Sequence, residues 1–228
     1  MSDTEAGHGS ATLIRLGGLA MILSIIVHVV LNMVLKEFPP EDPTASELQA
    51  YLDREADTWA IVHGFRYLAF CGIVLFAAGL FIRTCGGRAA ALNGWGFVGL
   101  LGTAIWVTSG IVTNGLEILA FVDFDLLSNR PELFWLVFRM TRILFTAEIA
   151  TWSLVLAGFS AAGLVSATLP KWMAFLGFVG AAGCLLSGVL VISVFTDGFA
   201  GMIAELATMA SLLWMLVVAL YLVKRGAS

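Results

Sequence analysis

Long apolar stretches separated by short polar ones dominate the pattern of this chain. Six of them are long enough to cross the ~30 Å hydrocarbon core of a bilayer, which takes about 20 helical residues. They cover roughly residues 13–35, 59–82, 92–121, 133–165, 171–195 and 199–223. Inside a bilayer a helix satisfies its own backbone polar groups. The sequence therefore predicts an all-α fold, a bundle of six transmembrane helices that forms one membrane domain.

The composition agrees with a membrane location. Of the 228 residues, 60% are hydrophobic and 12% are charged, and the mean hydropathy is +0.96. Soluble domains use far fewer apolar and more charged residues. The formal charge is −4 and no basic block occurs, which excludes nucleic acid and leaves membrane lipid as the expected partner. The three cysteines show no metal-ligand spacing, and no disulfide is expected.

Basic residues are distributed unequally between the two sets of span ends. One set carries Arg15, Arg83, Arg88, Lys171, Lys224 and Arg225, whereas the opposite set carries Lys36, Arg54 and Arg130. Because basic residues are enriched in cytoplasmic flanks, both termini are predicted to be cytoplasmic. Residues 1–12 are predicted to form a disordered cytoplasmic tail. They lack the basic start of a signal peptide, so the first apolar stretch is expected to be retained.

The long connection at 36–58 falls on the outer side in this topology. Thr44 and Glu47 match a T-x-x-E capping box, which starts a helix. Leu48 and Leu52 follow at helical spacing among acidic residues, so a short amphipathic helix on the outer surface is predicted. Two interpretations of the connection stand side by side, a lid over a site and a solvated connector.

Two short motifs each occur twice. The pattern W-x3-H-x2-R at Trp59 resembles W-x3-R-x2-R at Trp135, and G-F-V-G-x2-G begins at both Gly96 and Gly177. The members of each pair start on the same side of the membrane. This favours a parallel internal repeat of spans 2–3 and spans 4–5 about an axis along the membrane normal. Close helix packing explains the glycines equally well.

Ionisable residues within the spans gather in the outer half of the membrane, as a helical rise of 1.5 Å per residue shows. A charge near the middle of a bilayer costs roughly 2.5–3.5 kcal/mol on insertion scales, so such residues are expected to face a partner or a wet cavity. On the first span the polar residues recur every four positions and share a face. The predicted ligand-binding set comprises His28, Asn32, His63, Arg66, Glu117, Arg139, Arg142, Glu148 and Glu205.

Two interpretations of this set concern its charges. The three arginines and three glutamates would form a charge-balanced network that only holds the helices together. Alternatively, the arginines would make bidentate contacts with a carboxylate or phosphate in a binding or transport site. A lipid headgroup, a quinone or an organic anion would suit such a site.

Two further functions stay open. His28 and His63 lie at similar depth on adjacent helices and would serve as axial ligands of a b-type haem, or hold zinc together with Glu117. In a membrane-embedded enzyme, Glu148 or Glu205 would act as a general acid on a lipid or isoprenoid. Both glutamates occur in an A-E-(I/L)-A-T context, and no further signature selects a catalytic residue.

Three features of the layout resemble a known group of proteins. The first span begins with RLGGLAMILSIIVH, a Pro-containing outer loop leads to E-L-x-x-Y-L at Glu47, and the fifth span opens with Leu169-Pro170-Lys171-Trp172. This layout resembles the bacterial six-span membrane proteins grouped as domains of unknown function. The resemblance implies a six-helix fold in the bacterial cytoplasmic membrane, without an assigned activity or catalytic residues.

The predicted orientation can be tested with thiol chemistry on intact cells. A membrane-impermeant thiol reagent should label a Ser46→Cys variant, because position 46 lies in the outer loop. The same reagent should not label Cys85, which lies in a cytoplasmic turn. Labelling of Cys85 without labelling of the Ser46→Cys variant would reverse the orientation.

Overall fold

The computed structural model describes residues 3–31, 44–86, 94–122, 130–190 and 198–225. Within these ranges the chain forms helices and no strand, so the predicted all-α, six-helix class is confirmed. The helices are α1 (Asp3–Val29), α2 (Ala45–Cys85), α3 (Gly94–Val122), α4 (Pro131–Val165), α5 (Lys171–Val189) and α6 (Gly198–Arg225).

The surface of the bundle is apolar. All six helices are long and apolar enough to cross a membrane, and large side chains such as Leu23, Leu68, Leu101 and Phe175 are exposed. Soluble monomers rarely expose contiguous apolar surface on this scale, whereas lipid accommodates it. The chain is therefore an integral membrane protein.

The helices form a ring in chain order. Each helix packs on the next one along the chain, and α6 closes the ring against α1. Within the ring, α2 also contacts α4 and α6. We call the end that holds Cys85 and Lys171 the inner end, after the predicted orientation, and the end that holds Ala45 and Pro131 the outer end.

The interior of the ring is apolar and filled towards the inner end. Phe76 and Leu80 of α2, Phe159 of α4 and Trp214 of α6 are all buried in one cluster. The rings of Phe76 and Trp214 meet edge to face, with centroids 6.5 Å apart. The indole Nε1 of Trp214 donates a hydrogen bond of 3.0 Å to the carbonyl of Met173. This packing closes the inner half of the bundle.

Helix α2 begins well before the predicted second span. The Thr44 hydroxyl accepts a hydrogen bond from the Glu47 amide, and the Glu47 carboxylate accepts one from the Thr44 amide at 2.9 Å, so the predicted capping box is confirmed. The helix then continues to Cys85 without a break. The short amphipathic helix expected within 36–58 is thus the first part of α2, because no Pro or Gly between residues 45 and 63 ends it.

The first turns of α2 pack against the start of α4. Leu48, Tyr51, Leu52 and Trp59 are buried against Phe134, and we call these five residues the outer cluster. A helix of 41 residues is about 60 Å long, roughly twice the hydrocarbon core. The outer cluster therefore builds the outer end of the bundle, and this segment is a packed element rather than a solvated connector.

Two other boundaries differ from those predicted. Helix α1 begins at Asp3, so residues 3–12, predicted to be disordered, are helical. Helix α5 ends at Val189, and residues 191–195 of the predicted fifth span, like residues 36–43 of the outer loop, lie outside the described residues.

The repeated glycine motif occupies equivalent positions in α3 and α5. Its last glycine, Gly102 or Gly183, faces the following helix in both motifs. Gly96 faces the preceding helix, whereas Gly177 faces both neighbours, Ser160 of α4 and Trp214 of α6. A parallel repeat would produce this partial match, and close helix packing would produce it as well. The internal repeat therefore stays a prediction.

The two positions of the thiol test differ in accessibility. Ser46 is exposed at the start of α2, whereas Cys85 is 9% exposed and faces Gly96 of α3. A buried thiol reacts slowly from either side of the membrane. The orientation is therefore decided by whether the membrane-impermeant reagent labels the Ser46→Cys variant.

Because α3 packs closely on α4, we predict that replacing Gly158 destabilises the bundle. A Cβ at Gly158 would lie 2.8 Å from the Gly99 Cα and 2.9 Å from the Trp95 carbonyl oxygen, so the two backbones would have to separate. We expect Gly158→Ala to lower the free energy of unfolding by about 1–3 kcal/mol. Thermal unfolding in detergent measures the loss.

Gly64→Ala is the matched control for this substitution. A Cβ at Gly64 would meet no atom of the described chain within 4 Å, and alanine favours a helix over glycine. We expect Gly64→Ala to leave stability unchanged or slightly higher. Equal losses for the two variants would contradict the close approach of α3 and α4.

Candidate functional site

A cavity of about 170 Å³ lies inside the ring, in its outer half. We call it the central cavity. Side chains from α1, α2, α3 and α4 form its wall, and Leu212 of α6 contributes to it. An engineered apolar cavity of about 150 Å³ binds benzene, so this volume suits a group the size of one aromatic ring. The polar and charged side chains in the wall are Ser24, His28, Arg66, Thr113, Glu117, Thr141, Arg142 and Glu148.

The structure brings most of the predicted ligand-binding set together and separates the rest. His28, Arg66, Glu117, Arg142 and Glu148 line the central cavity. His63 is buried beside it and is not part of the wall. Arg139 and Glu205 are exposed and lie away from it. Asn32 falls outside the described residues.

The α1 wall is positioned by a polar contact with α2. The Ser24 hydroxyl lies 2.8 Å from the Ala20 carbonyl and 3.1 Å from the Ala69 carbonyl of α2, and donates to this pair. Gly72 lies opposite Ser24 and has no side chain to keep the helices apart. His28 follows one turn later and faces the cavity, as the predicted polar face of the first span requires.

An ion pair joins α2 and α3 in the cavity wall. The Arg66 Nη1 donates to the Glu117 Oε2, and the two side chains are 16% and 10% exposed. The partners come from antiparallel neighbours at the same depth. Pairing removes most of the cost of placing either charge inside a membrane. Part of the predicted charge-balanced network is therefore present, and a cavity remains beside it.

His63 belongs to the packing between α2 and α3. Its Nδ1 lies 2.5 Å from the Asn114 Oδ1, and the Asn114 amide donates to the His63 carbonyl at 3.4 Å. The same Nδ1 is 3.8 Å from the Glu117 Oε2. Asn114 was not among the residues predicted from the sequence, although it precedes Glu117 by three residues and so shares its helix face.

The structure does not assemble the predicted zinc site and places the two histidines differently, while haem ligation by them stays a prediction. His28 lines the central cavity, whereas the His63 Nδ1 faces Asn114 outside it. Two axial ligands have to face one space. Across the described ranges, no three His, Cys, Asp or Glu side chains are grouped to hold a metal ion, so His28, His63 and Glu117 are not assembled as zinc ligands.

Glu148 lies deeper in the cavity than the ion pair and is 6% exposed. The Trp106 Nε1 of α3 donates a hydrogen bond of 2.8 Å to its Oε1. No basic side chain of the described residues lies within 4.0 Å of its carboxylate. Glu205 has the same local sequence but is exposed, so burial distinguishes two residues that their motif does not.

Trp152 lies one turn after Glu148 and also lines the cavity. It is 2% exposed, and its ring packs on that of Trp106 with centroids 4.9 Å apart. Its Nε1 has no hydrogen-bond partner within the described part of the chain, which costs about 1–3 kcal/mol for a buried donor. Neither tryptophan was predicted from the sequence as a site residue, although Trp152 follows Glu148 at helical spacing.

The cavity has an opening on the α4 side. Arg142 lines the cavity and is exposed, and Phe145, one turn deeper, is 36% exposed. We call this opening the mouth.

Comparisons of the chain with protein-family models, curated proteins and solved structures find no match. The resemblance to bacterial six-span membrane proteins therefore stays a prediction, and the site has to be interpreted from its own geometry.

The ion pair predicts a large difference between two glutamates. Glu117→Gln should leave the Arg66 charge buried without its counter-charge, and should lower the free energy of unfolding by roughly 3–5 kcal/mol. Glu205→Gln changes an exposed carboxylate and should shift stability by less than about 0.5 kcal/mol. Thermal unfolding of both variants in the same detergent measures the difference, and similar values would show that the ion pair does not stabilise the bundle.

Proposed function

We propose that this membrane protein binds an amphipathic ligand in the central cavity. The observation that carries the proposal is a ring-sized cavity that combines charged and aromatic wall residues and has a mouth in the outer half of the bundle. Concave sites of this mixed character are the usual form of small-molecule sites. A network that only joined helices would leave no space of this size.

The balance of charge in the wall favours a neutral or zwitterionic head group. Arg66 and Arg142 carry two positive charges, and Glu117 and Glu148 carry two carboxyl groups. Because Arg66 is already paired with Glu117, an added anion would face a wall with little net positive charge. A quinone-type ring or a zwitterionic lipid head therefore suits the cavity better than an organic anion.

Aromatic and aliphatic side chains would hold the rest of the ligand. Phe70, Phe138 and Phe145 line the cavity together with Met21 and Ile25. An apolar group enclosed by such a wall gains about 25 cal/mol for each Å² removed from water. A ligand with an apolar tail would therefore gain affinity along the same wall.

The route into the cavity supports a lipid-soluble ligand. Towards the outer end, Phe138 lines the cavity and packs on the outer cluster, which obstructs a direct route from the aqueous phase. The mouth lies on α4 beside exposed Ile143 and Met140. We infer that the ligand enters sideways from the outer leaflet of the bacterial cytoplasmic membrane.

A second function is favoured by the position of Glu148. A carboxyl group buried in a ligand cavity is a candidate general acid or base, and Glu148 meets this condition where Glu205 does not. The test uses any substrate identified from copurified material. If Glu148→Gln still binds this substrate but no longer forms product, the result would support an enzyme. Unchanged product formation would exclude this role.

Two neighbouring arginines test the binding proposal. Arg142 lines the cavity, whereas Arg139 is exposed and lies over the Trp135 ring at 5.8 Å. We expect Arg142→Gln to reduce the copurifying amphiphile about tenfold, because charge-assisted hydrogen bonds contribute roughly 1.5–3 kcal/mol. Arg139→Gln should retain the wild-type amount. Mass spectrometry of lipid extracts from equal amounts of purified protein provides the measurement.

Substitutions at two glycines provide a second test of the binding proposal, and they remove no charge from the cavity wall. A Cβ at Gly110 would lie 2.6 Å from the Phe70 ring and 3.4 Å from the Glu148 carboxylate, so Gly110→Ala should narrow the cavity and reduce ligand retention. Gly115→Ala adds a methyl group where the described chain leaves open space and should have no effect. Retention that is the same in all four variants would contradict the proposal.

A further inference from the structure

At the deep end of the central cavity lie one hydrogen-bond donor and one hydrogen-bond acceptor that the described residues do not fully use. The Trp152 Nε1–H is a donor that no described residue accepts. The Glu148 carboxylate is an acceptor that takes one hydrogen bond, from Trp106, within the described chain. A carboxylate can accept about four, whereas an indole N–H can only donate. Because buried polar groups are almost always satisfied, this pair indicates a missing group.

The donor of Trp152 and the acceptor of Glu148 lie on the same wall of the cavity. Glu148 and Trp152 are four residues apart on α4, so their side chains lie on the same face of the helix. Both line the cavity and both are buried. The Trp106 ring packs on Trp152 while its Nε1 holds the Glu148 carboxylate, which fixes the two groups relative to each other.

The missing group has to accept and donate at the same time. A ligand carboxylate would satisfy the indole but would place a second negative charge beside Glu148. An ammonium group would satisfy Glu148 but offers no acceptor to the indole. A hydroxyl group does both, since its oxygen accepts from Trp152 while its hydrogen is donated to Glu148.

We propose that the deep end of the central cavity is a hydroxyl-binding subsite, formed by Trp152 and Glu148, for a phenolic or hydroquinone-type ring with an apolar tail. This inference rests on the proposed function of the cavity and specifies the class of its ligand. The ring form follows from the aromatic walls of Trp106 and Phe70 and from the space left by Gly110.

Binding of two matched probes to the full-length protein in lipid nanodiscs tests the subsite. The probes are radiolabelled para-decylphenol and its methyl ether, para-decylanisole, which has the same ring and tail but cannot donate. We expect the phenol to bind roughly tenfold more tightly than the ether, the effect of one hydrogen bond to a charged group. Equal binding of the two probes would overturn the subsite, as would occupancy of this position by a water molecule alone.

Two tryptophan variants identify the donor. Trp152→Phe removes the N–H and keeps an aromatic ring, and we expect it to weaken phenol binding about fivefold to tenfold. Trp135→Phe is the matched control, because the Trp135 Nε1 is also buried without a described partner but lies outside the cavity wall. It should leave the affinity unchanged. Equal effects of the two variants would overturn the assignment of Trp152.

Further probes separate this inference from the proposed function. Decanoate that binds more tightly than the phenol, with an affinity lost in Arg142→Gln, would overturn the hydroxyl subsite and leave an amphiphile-binding cavity. Dodecanol that binds as tightly as the phenol would support the subsite and assign aliphatic alcohols to it. Failure of every probe to bind, together with unchanged retention in Gly110→Ala, would overturn both proposals. Thermal unfolding of each variant confirms that the folded protein is compared.

Discussion

The arrangement of this bundle depends on where it can place charge within a membrane. An isolated Arg66 or Glu117 would cost several kcal/mol in hydrocarbon, and each is the partner of the other. Their ion pair and the contact between His63 and Asn114 both join α2 to α3, and together they fix the position of one helix against the other. Charge pairing at this depth explains why the outer half of the ring is polar inside while its surface is apolar.

The two halves of the bundle solve different packing problems. Towards the inner end, large side chains such as Phe76 and Trp214 pack together in one buried apolar cluster, as is usual in protein interiors. Towards the outer end, the polar wall residues cannot pack in this way, because each requires a hydrogen-bonding partner. The outer cluster, built from the extra turns of α2 and the start of α4, closes the bundle beyond the cavity. The space enclosed between these two apolar regions is the candidate site.

The fold was predictable from the sequence to a large extent, because length and apolarity decide whether a helix spans a bilayer. The depth of the polar residues was predictable from the helical rise, which placed His28, Arg66, Glu117, Arg142 and Glu148 in one region. The direction of Arg139 and Glu205 was not, since it depends on helix rotation and on which neighbours are close. The tryptophans in the cavity wall were missed because, in the sequence, an indole within an apolar span cannot be told from an ordinary core residue. Only the structure shows whether its N–H has a hydrogen-bond partner.

The filled inner half has a kinetic consequence for anything that occupies the cavity. Phe76, Leu80 and Trp214, all buried in one apolar cluster, form a floor beneath the deepest wall residues. A molecule held in the cavity would therefore leave through the opening by which it arrived, and a second molecule would have to wait until the first had left. Passage across the membrane would require the packed floor to separate.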